Sequence, residues 1–267
     1  MNTEAIQHVV APDVDAHNAT DWALEVNNLY VSYGKLKVLE GINMSVAKGE
    51  RQCIIGPNGA GKTTFFNTIA GVVQPTSGAI RLGGQDVSRL MPRQRAHIGV
   101  ARTFQRTQLF PQLTVMENLL LAIAALETRR FNVFRGAHSY EQSRSHVESH
   151  LTHFDLGMAK DRLVGELGYG EQRQIEILMA MIQNPSILLL DEPTAGLAAA
   201  DGGIVTELLD ECSVETTIIM IEHDMDIVFK FASRLSVLSA GAIIADGTVD
   251  EVRANATVQN IYLGTQG

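Results

Sequence analysis

A chain of 267 residues, 45% hydrophobic and 19% charged, has the composition of an ordinary globular protein with ample core, neither disordered nor fibrous. Its 21 Lys and Arg against 30 Asp and Glu give a net charge of −9, which argues against nonspecific nucleic-acid binding, because that needs a basic footprint. Two cysteines, Cys53 and Cys212, are too few for a disulfide framework and fit a reducing cytosol.

Residues 1–21 are polar, without the basic start and apolar stretch of a secretory leader, and read as a flexible tail. From Trp22 to about Glu50 the pattern is strand-like, with Leu24, Val26 and Leu29, then Leu36 and Val38, then Ile42, Met44 and Val46. Gln52-Cys53-Ile54-Ile55 is continuously apolar after its first residue, as in a buried parallel strand, and a glycine-rich loop and a helix over Thr63–Ala70 follow. Ile80–Leu82 reads as a further strand. The middle of the chain turns helical. Thr114-Val115-Met116-Glu117 is a capping box opening a helix through Leu126, and Ser139–Phe154 reads as a second helix with Val147, Leu151 and Phe154 on one face. A third helix runs beyond Glu171 and ends at Asn184-Pro185. Strands return at Ile187–Leu190, Thr217–Ile221, Leu235–Ser239 and Ala242–Ala245. The simplest architecture is an α/β core with a mainly helical lobe inserted between about residues 92 and 170. The longest apolar run, Leu119–Leu126, is far short of the ~20 residues of a spanning helix, so any membrane role is borrowed from a partner. His146, His150 and His153 share a helix face, yet they flank an apolar stripe with no acidic or cysteine ligand at matching spacing, and read as boundary residues.

Two stretches carry chemistry. Gly56-Pro57-Asn58-Gly59-Ala60-Gly61-Lys62-Thr63 fits the phosphate-loop pattern G-x-x-x-x-G-K-[ST] between a strand and a helix. Its glycines let backbone N–H groups converge on phosphate oxygens, Lys62 adds a point charge, and the Thr63 hydroxyl suits Mg2+. Ile187-Leu188-Leu189-Leu190-Asp191-Glu192 ends a buried strand in two acids that project oppositely. Asp191 suits the metal and Glu192 the attacking water. Three residues gain meaning only beside these. Gln105 opens the helical lobe and His223 ends an apolar strand, where it suits a γ-phosphate sensor. Tyr33 fits either an adenine stack or a core or turn tyrosine.

These motifs, with Gly168-Tyr169-Gly170 between Gln105 and Asp191, stand in the order found in ATPases of ABC transporters, which the sequence resembles over about residues 22–267. More narrowly, Gly99–Gln105, Leu109-Phe110, Leu113–Asn118, Tyr169–Arg173, Ile221–Met225 and Tyr262-Leu263-Gly264 resemble the branched-chain amino-acid importers. The resemblance implies an α/β P-loop NTPase of the ABC-ATPase fold, with an N-terminal antiparallel β subdomain and an inserted helical subdomain. It implies ATP and Mg2+ as cofactors, with Lys62, Glu192 and His223 catalytic. Tyr33, Gly56 through Thr64, Gln105, Gly168, Tyr169 and Gly170 would touch nucleotide, and Thr63, Gln105 and Asp191 the metal. In that family the Gly168 position belongs to a signature turn that faces the γ-phosphate on a second ATPase subunit, identical or merely similar. Membrane permeases and, indirectly, a substrate-binding protein complete the system on the inner face of the membrane.

Two departures stand out. Gly168 replaces the family's serine, Tyr169 its first glycine and Glu171 its glutamine, so backbone N–H groups must serve where a hydroxyl is lost. Ala198 stands where an aspartate usually links the two sites, with Asp201 three residues too late. Other readings stay open: a transporter of urea, amides, aromatic acids or lipid, or a soluble ABC ATPase serving nucleic acid or the ribosome. A coiled-coil insertion or second cassette, typical of the latter, is not seen.

Overall fold

Alternating apolar residues draw the chain after Trp22 into two 12-residue strands, β1 (Trp22–Tyr33) and β2 (Leu36–Ala47), paired antiparallel across a Gly34-Lys35 turn. The computed structural model describes residues 22–103, 108–126 and 137–263, with backbone only at 137–139, 199–201 and 261–263. After β2 come β3 (Arg51–Ile55), α1 (Lys62–Ile69), β4 (Ser77–Leu82), β5 (Gln85–Asp86), α2 (Pro92–His97) and β6 (Val100–Arg102). Three helices follow, α3 (Val115–Leu126), α4 (Ala137–His153) and α5 (Tyr169–Met181), with short 3-10 turns at Gly157–Ala159 and Val164–Glu166. The chain then runs through β7 (Ile187–Asp191), α6 (Ala199–Asp210), β8 (Thr217–Ile221), α7 (Met225–Phe231), β9 (Arg234–Ser239), β10 (Ala242–Thr248), α8 (Val249–Ala254) and α9 (Ala256–Leu263).

The strands form two sheets. One is four-stranded and antiparallel, in the order β2-β1-β4-β5. The other is six-stranded, in the order β10-β9-β3-β8-β7-β6, parallel except for β10. Its central strands are buried on both faces, which is why they read as unbroken apolar runs. Side chains alternate across it. Ile54, Leu189, Ile219 and Ile221 join Phe65, Phe66 and Ile69 of α1 in one core. Cys53, Ile55, Leu188, Leu190 and Met220 face a second core with Ile177, Val205 and Phe231. Cys53 is wholly buried, and burial pushes its thiol up, as suits a core residue.

A third cluster is helical. Val115, Leu119, Val147, Leu151, Ile175 and Leu178 pack from α3, α4 and α5, with Leu167 and Ile182 from the two ends of α5. Its entry is capped as expected: Glu117 Oε2 accepts from the Thr114 N–H at 2.8 Å, and the Thr114 hydroxyl accepts from the Glu117 N–H at 3.2 Å. Against expected bounds of about 92–170, Val100–Arg102 pair in the six-stranded sheet and the helical cluster runs on to Ile182. The tail 1–21 lies outside the described residues. The three histidines find separate partners: His150 Nδ1 lies 2.9 Å from the His146 carbonyl within α4, His146 Nε2 3.4 Å from the Ile182 carbonyl, and His153 Nε2 3.1 Å from Glu211 Oε2. Among the described residues no cluster could hold a metal through His, Cys, Asp and Glu alone.

The end of α1 is held by a buried cation. Arg95, with no exposed surface, donates to the carbonyls of Thr68 (2.7 Å), Ile69 (2.6 Å), Val87 (2.7 Å) and Leu90 (3.1 Å). Two of these acceptors are last-turn carbonyls of α1, and a cation there also meets the negative end of the helix. Burial pushes the guanidinium down to about 10, with Asp86 opposing that shift. Arg95→Met keeps the stem and orphans the carbonyls, so it is expected to cost about 3 kcal/mol or more. For a chain of this size that lowers the thermal midpoint by roughly 6–12 °C. A loss under about 2 °C would show that water satisfies them instead.

Candidate nucleotide-binding site

The six-stranded sheet brings the chemistry to one edge. β3, β8 and β7 lie side by side in parallel, with Ile54 beside Ile221 and Ile221 beside Asp191. The phosphate loop after β3, Asp191-Glu192 at the end of β7 and Glu222-His223 after β8 therefore leave the sheet together at its carboxyl end. Ligands of open α/β sheets bind there.

The loop is shaped by contacts that only glycine allows. At Gly61, the N-cap of α1, φ is 105°, and a Cβ would lie 2.9 Å from Leu39 Cδ2 and 3.0 Å from the Val38 carbonyl. At Gly56 a Cβ would lie 2.1 Å from the Leu238 carbonyl. Pro57, Asn58 and Gly59 are exposed, as is Thr63 at the start of α1, while Ala60 is buried and Thr64 half-buried. Lys62 Nζ donates to the carbonyls of Gly56 (2.6 Å) and Pro57 (3.0 Å), which holds the ammonium at the loop mouth. Burial pulls its pKa down, and Glu192 and Asp191 oppose that shift. Tyr33 is 52% exposed at the turn between β1 and β2, and β2 is the strand whose Val38 and Leu39 touch the loop.

The two acids part as expected, toward different partners. Asp191 is 2% exposed; its Oδ2 accepts from Arg102 Nη2 at 3.1 Å, and its Oδ1 is buried without a partner. Burial pushes this carboxyl up, and Arg102 beside it pulls it back. Glu192 leaves the strand with φ 48°, a left-handed conformation costing a non-glycine residue about 1–3 kcal/mol. Its N–H donates to the Ile221 carbonyl at 2.9 Å, and its Oε1 lies 4.0 Å from His223 Nδ1.

Two residues that sequence reading left unassigned hold this turn. Arg173 of α5, 2% exposed, donates to the carbonyls of Asp191 (3.1 Å), Glu192 (3.0 Å) and Pro193 (2.9 Å), and pairs with Glu176 Oε2 at 2.6 Å. Glu222 is buried and accepts from the Thr194 hydroxyl and from the His223 N–H (2.8 Å), tying the turn to β8. A carboxylate inside an apolar strand end was the available signal for Glu222. A helical arginine three residues past the glycines gave none.

Gly168 caps α5 from an extended conformation, and its N–H donates to Glu171 Oε2 at 2.9 Å. Gly168 and Tyr169 are exposed and Gly170 is half-buried, so the first turn of α5 opens to solvent. The Tyr169 hydroxyl donates to the Ala195 carbonyl at 3.3 Å, beside Gly196. Among the described residues no hydrogen bond joins residues 168–170 to the phosphate loop. Gln105 lies outside the described residues, and the side chain of Asp201 is not described.

A glycine cradle with an ammonium, two acids and a histidine on one sheet edge, flanked by an antiparallel sheet and a helical cluster, define an ATP-hydrolysing P-loop cassette. The chain belongs to the ABC transporter family, whose model matches residues 39–195. A second model, the branched-chain amino acid ATP-binding cassette transporter, matches residues 242–267. The chain is 38% identical over 248 residues to the high-affinity branched-chain amino acid transport ATP-binding protein BraF of Pseudomonas aeruginosa, covering 90% of this chain and 97% of that one. LivG of Escherichia coli K12 gives the same figures. Among solved structures, a nucleotide-free ATP-binding cassette from an ABC transporter matches with TM-score 0.79 at 31% identity, covering 90% of this chain and 98% of the other. A dimeric cassette, MJ0796 bound to ADP and phosphate, matches with TM-score 0.72 at 25% identity, covering 85% and 98%.

Proposed function

We propose that this chain is a motor subunit of an importer for branched-chain or related amino acids. It works as a pair of cassettes, with itself or with a similar ATPase, beneath separate membrane permeases that a substrate-binding protein supplies. The observation that carries the reading is the solvent-open Gly168-Tyr169-Gly170 turn, which among the described residues makes no hydrogen bond to its own phosphate loop, in a chain matching BraF and LivG over 97% of their length. A second copy placed head to tail puts that turn over the first copy's Lys62.

Lys62 transfers its hydrogen bonds from the loop carbonyls to the β/γ-phosphates. Thr63 and Asp191 offer hard oxygen donors suited to Mg2+, and the unpartnered buried Oδ1 of Asp191 fits that use. When bound, Mg2+ neutralises phosphate charge; Gln105 is assigned to the same cluster. Glu192 orients the attacking water and accepts its proton, and His223, 4.0 Å away, stabilises the γ-phosphate. Tyr33 stacks on the base. Tyr33→Ala is accordingly expected to weaken ATP by about 1–3 kcal/mol, with Tyr33→Trp near normal. Equal affinity in calorimetric titrations of wild type and the alanine variant, both folded, removes Tyr33 from the site.

No helix of the described residues is long and apolar enough to cross a membrane. The permeases would hold the chain on the cytoplasmic face, seated on the helical cluster. An apolar hollow of about 360 Å3 lined by Leu113, Leu120, Leu121, Ile123 and Tyr140 suits such a contact. The test is affinity capture of this chain from native membranes, identification of the retained permeases, and uptake assays in vesicles. ATP-driven leucine uptake that fails without the chain supports the reading. Uptake only of urea, amides or aromatic acids overturns the substrate, and capture without any permease overturns the transport role.

A further inference from the structure

We propose that Arg102 is a positioning residue for the divalent cation: by occupying Oδ2 of Asp191 it leaves Oδ1 as the one carboxylate oxygen presented to the metal, and through Asn67 it locks that carboxylate to the phosphate-loop helix. This rests on the assignment of Asp191 to the cation. The observations are local and independent of that assignment. Arg102 ends β6, the edge strand beside β7, and the next residue is fixed to β7 by the Thr103 N–H donating to the Leu189 carbonyl at 2.9 Å. From there the guanidinium spans two elements. Nη1 donates to Asn67 Oδ1 on α1 at 2.6 Å, and Nη2 donates to Asp191 Oδ2 at 3.1 Å. The pair is shut away from water, with side-chain exposure of 8% for Arg102 and 2% for Asp191.

A planar guanidinium suits this task better than a point charge, because its fork sets direction as well as distance. With Oδ2 held by a charged donor, rotation of the carboxylate is restrained and Oδ1 is the oxygen with no competing partner. The oxygen left without a partner is Oδ1, and a buried oxygen in that condition points to a ligand. Mg2+ demands near-octahedral geometry and keeps several waters, so a single oxygen at a fixed angle serves it, directly or through water. The tether to Asn67 adds that the phosphate loop and the metal-holding acid move as one body. Both α1 and β7 then carry the cation's donors in fixed register. Outer partners of this kind typically hold about 10–100-fold of metal affinity.

The test uses the full chain with a non-hydrolysable ATP analogue, titrated in EDTA and again with saturating Mn2+. The ratio of the two affinities measures what the metal adds. Arg102→Met should cut that ratio by about 10–100-fold while the EDTA affinity stays within about threefold. Arg102→Lys should recover part of it, and Asn67→Ala, which leaves the ion pair standing, should lose a smaller share in the same direction. Electron paramagnetic resonance of the bound Mn2+ should broaden in the methionine variant as its environment loosens. A purely structural Arg102 lowers the melting temperature and leaves the ratio at the wild-type value in the lysine and alanine variants alike; that result overturns the proposal. Asp191→Asn separates the premise. If it keeps the wild-type ratio, the cation assignment itself fails; if it loses the ratio while Arg102→Met retains it, Arg102 has no positioning role.

Discussion

Glu192→Gln is expected to lower kcat by at least about 100-fold while ATP affinity stays within about threefold of wild type. The amide keeps the shape of the side chain but cannot accept a proton. The place it occupies is built independently of its charge: the Ile221 carbonyl takes its N–H and Arg173 takes its carbonyl, so the turn with φ 48° survives the change. Binding and hydrolysis thereby separate. The variant should also accumulate as an ATP-bound dimer, because the step that parts the subunits is blocked. Steady-state turnover and size-exclusion chromatography with ATP check both halves. Retention of more than about a tenth of wild-type kcat, an effect under ~1.4 kcal/mol, would move the base elsewhere.

Two lesions on opposite sides of the sandwich should each abolish the closed dimer. Lys62→Ala removes the ammonium from the phosphate loop, and the lost charge-assisted bonds correspond to about 1.5–3 kcal/mol, or roughly 10–100-fold in ATP affinity. Gly170→Asp acts differently. An acidic residue in the first turn of α5 favours the helix, so the subunit itself stays folded. The same carboxylate repels an incoming phosphate at that helix end, and closure is lost while the chain's own nucleotide affinity holds. Equilibrium binding by the single subunit and ATP-dependent dimerisation distinguish the two lesions.

Much of this site was legible because its residues sit at the ends of apolar runs. Lys62, Asp191 and His223 follow strands buried on both faces, and such runs survive in a sequence as continuous hydrophobicity. The hairpin was legible only in pieces, because β1 carries register shifts around Asn28, whose φ is 45°, and the alternation breaks there. β6 is three residues long, and α6 holds Gly202-Gly203, poor helix formers, so neither announces itself. Arg102 and Arg173 were not legible as site residues, and Glu222 shows only as a carboxylate at an apolar strand end. Their roles come from what the fold brings to them: Arg173, in the second turn of α5, meets the carbonyls of the strained turn at Asp191, Glu192 and Pro193, 18 to 20 positions away. The missing aspartate at Ala198 also reads differently beside these contacts. Arg173 and the Tyr169 hydroxyl bind α5 directly to the turn at Glu192 and Ala195, a physical link within one subunit between the glycine turn and the carboxylate proposed as the base.

Mixing the two defective chains shows whether Gly168-Tyr169-Gly170 serves the nucleotide held by the other subunit. In a mixed dimer one site carries both lesions, while the other combines intact Lys62 from one chain with intact Gly170 from its partner. Titrating Lys62→Ala into wild type controls for cooperativity, since those mixed dimers also keep one intact site. The measurement is ATP retained by the closed dimer after rapid gel filtration, across mixing ratios of Lys62→Ala and Gly170→Asp. The expected result is none for either variant alone and a maximum near equal mixing, at no more than one nucleotide per mixed dimer. No retention at any ratio, with mixed dimers verified and the wild-type titration showing that one good site suffices, would mean that the turn serves its own chain's nucleotide and would contradict the head-to-tail sandwich.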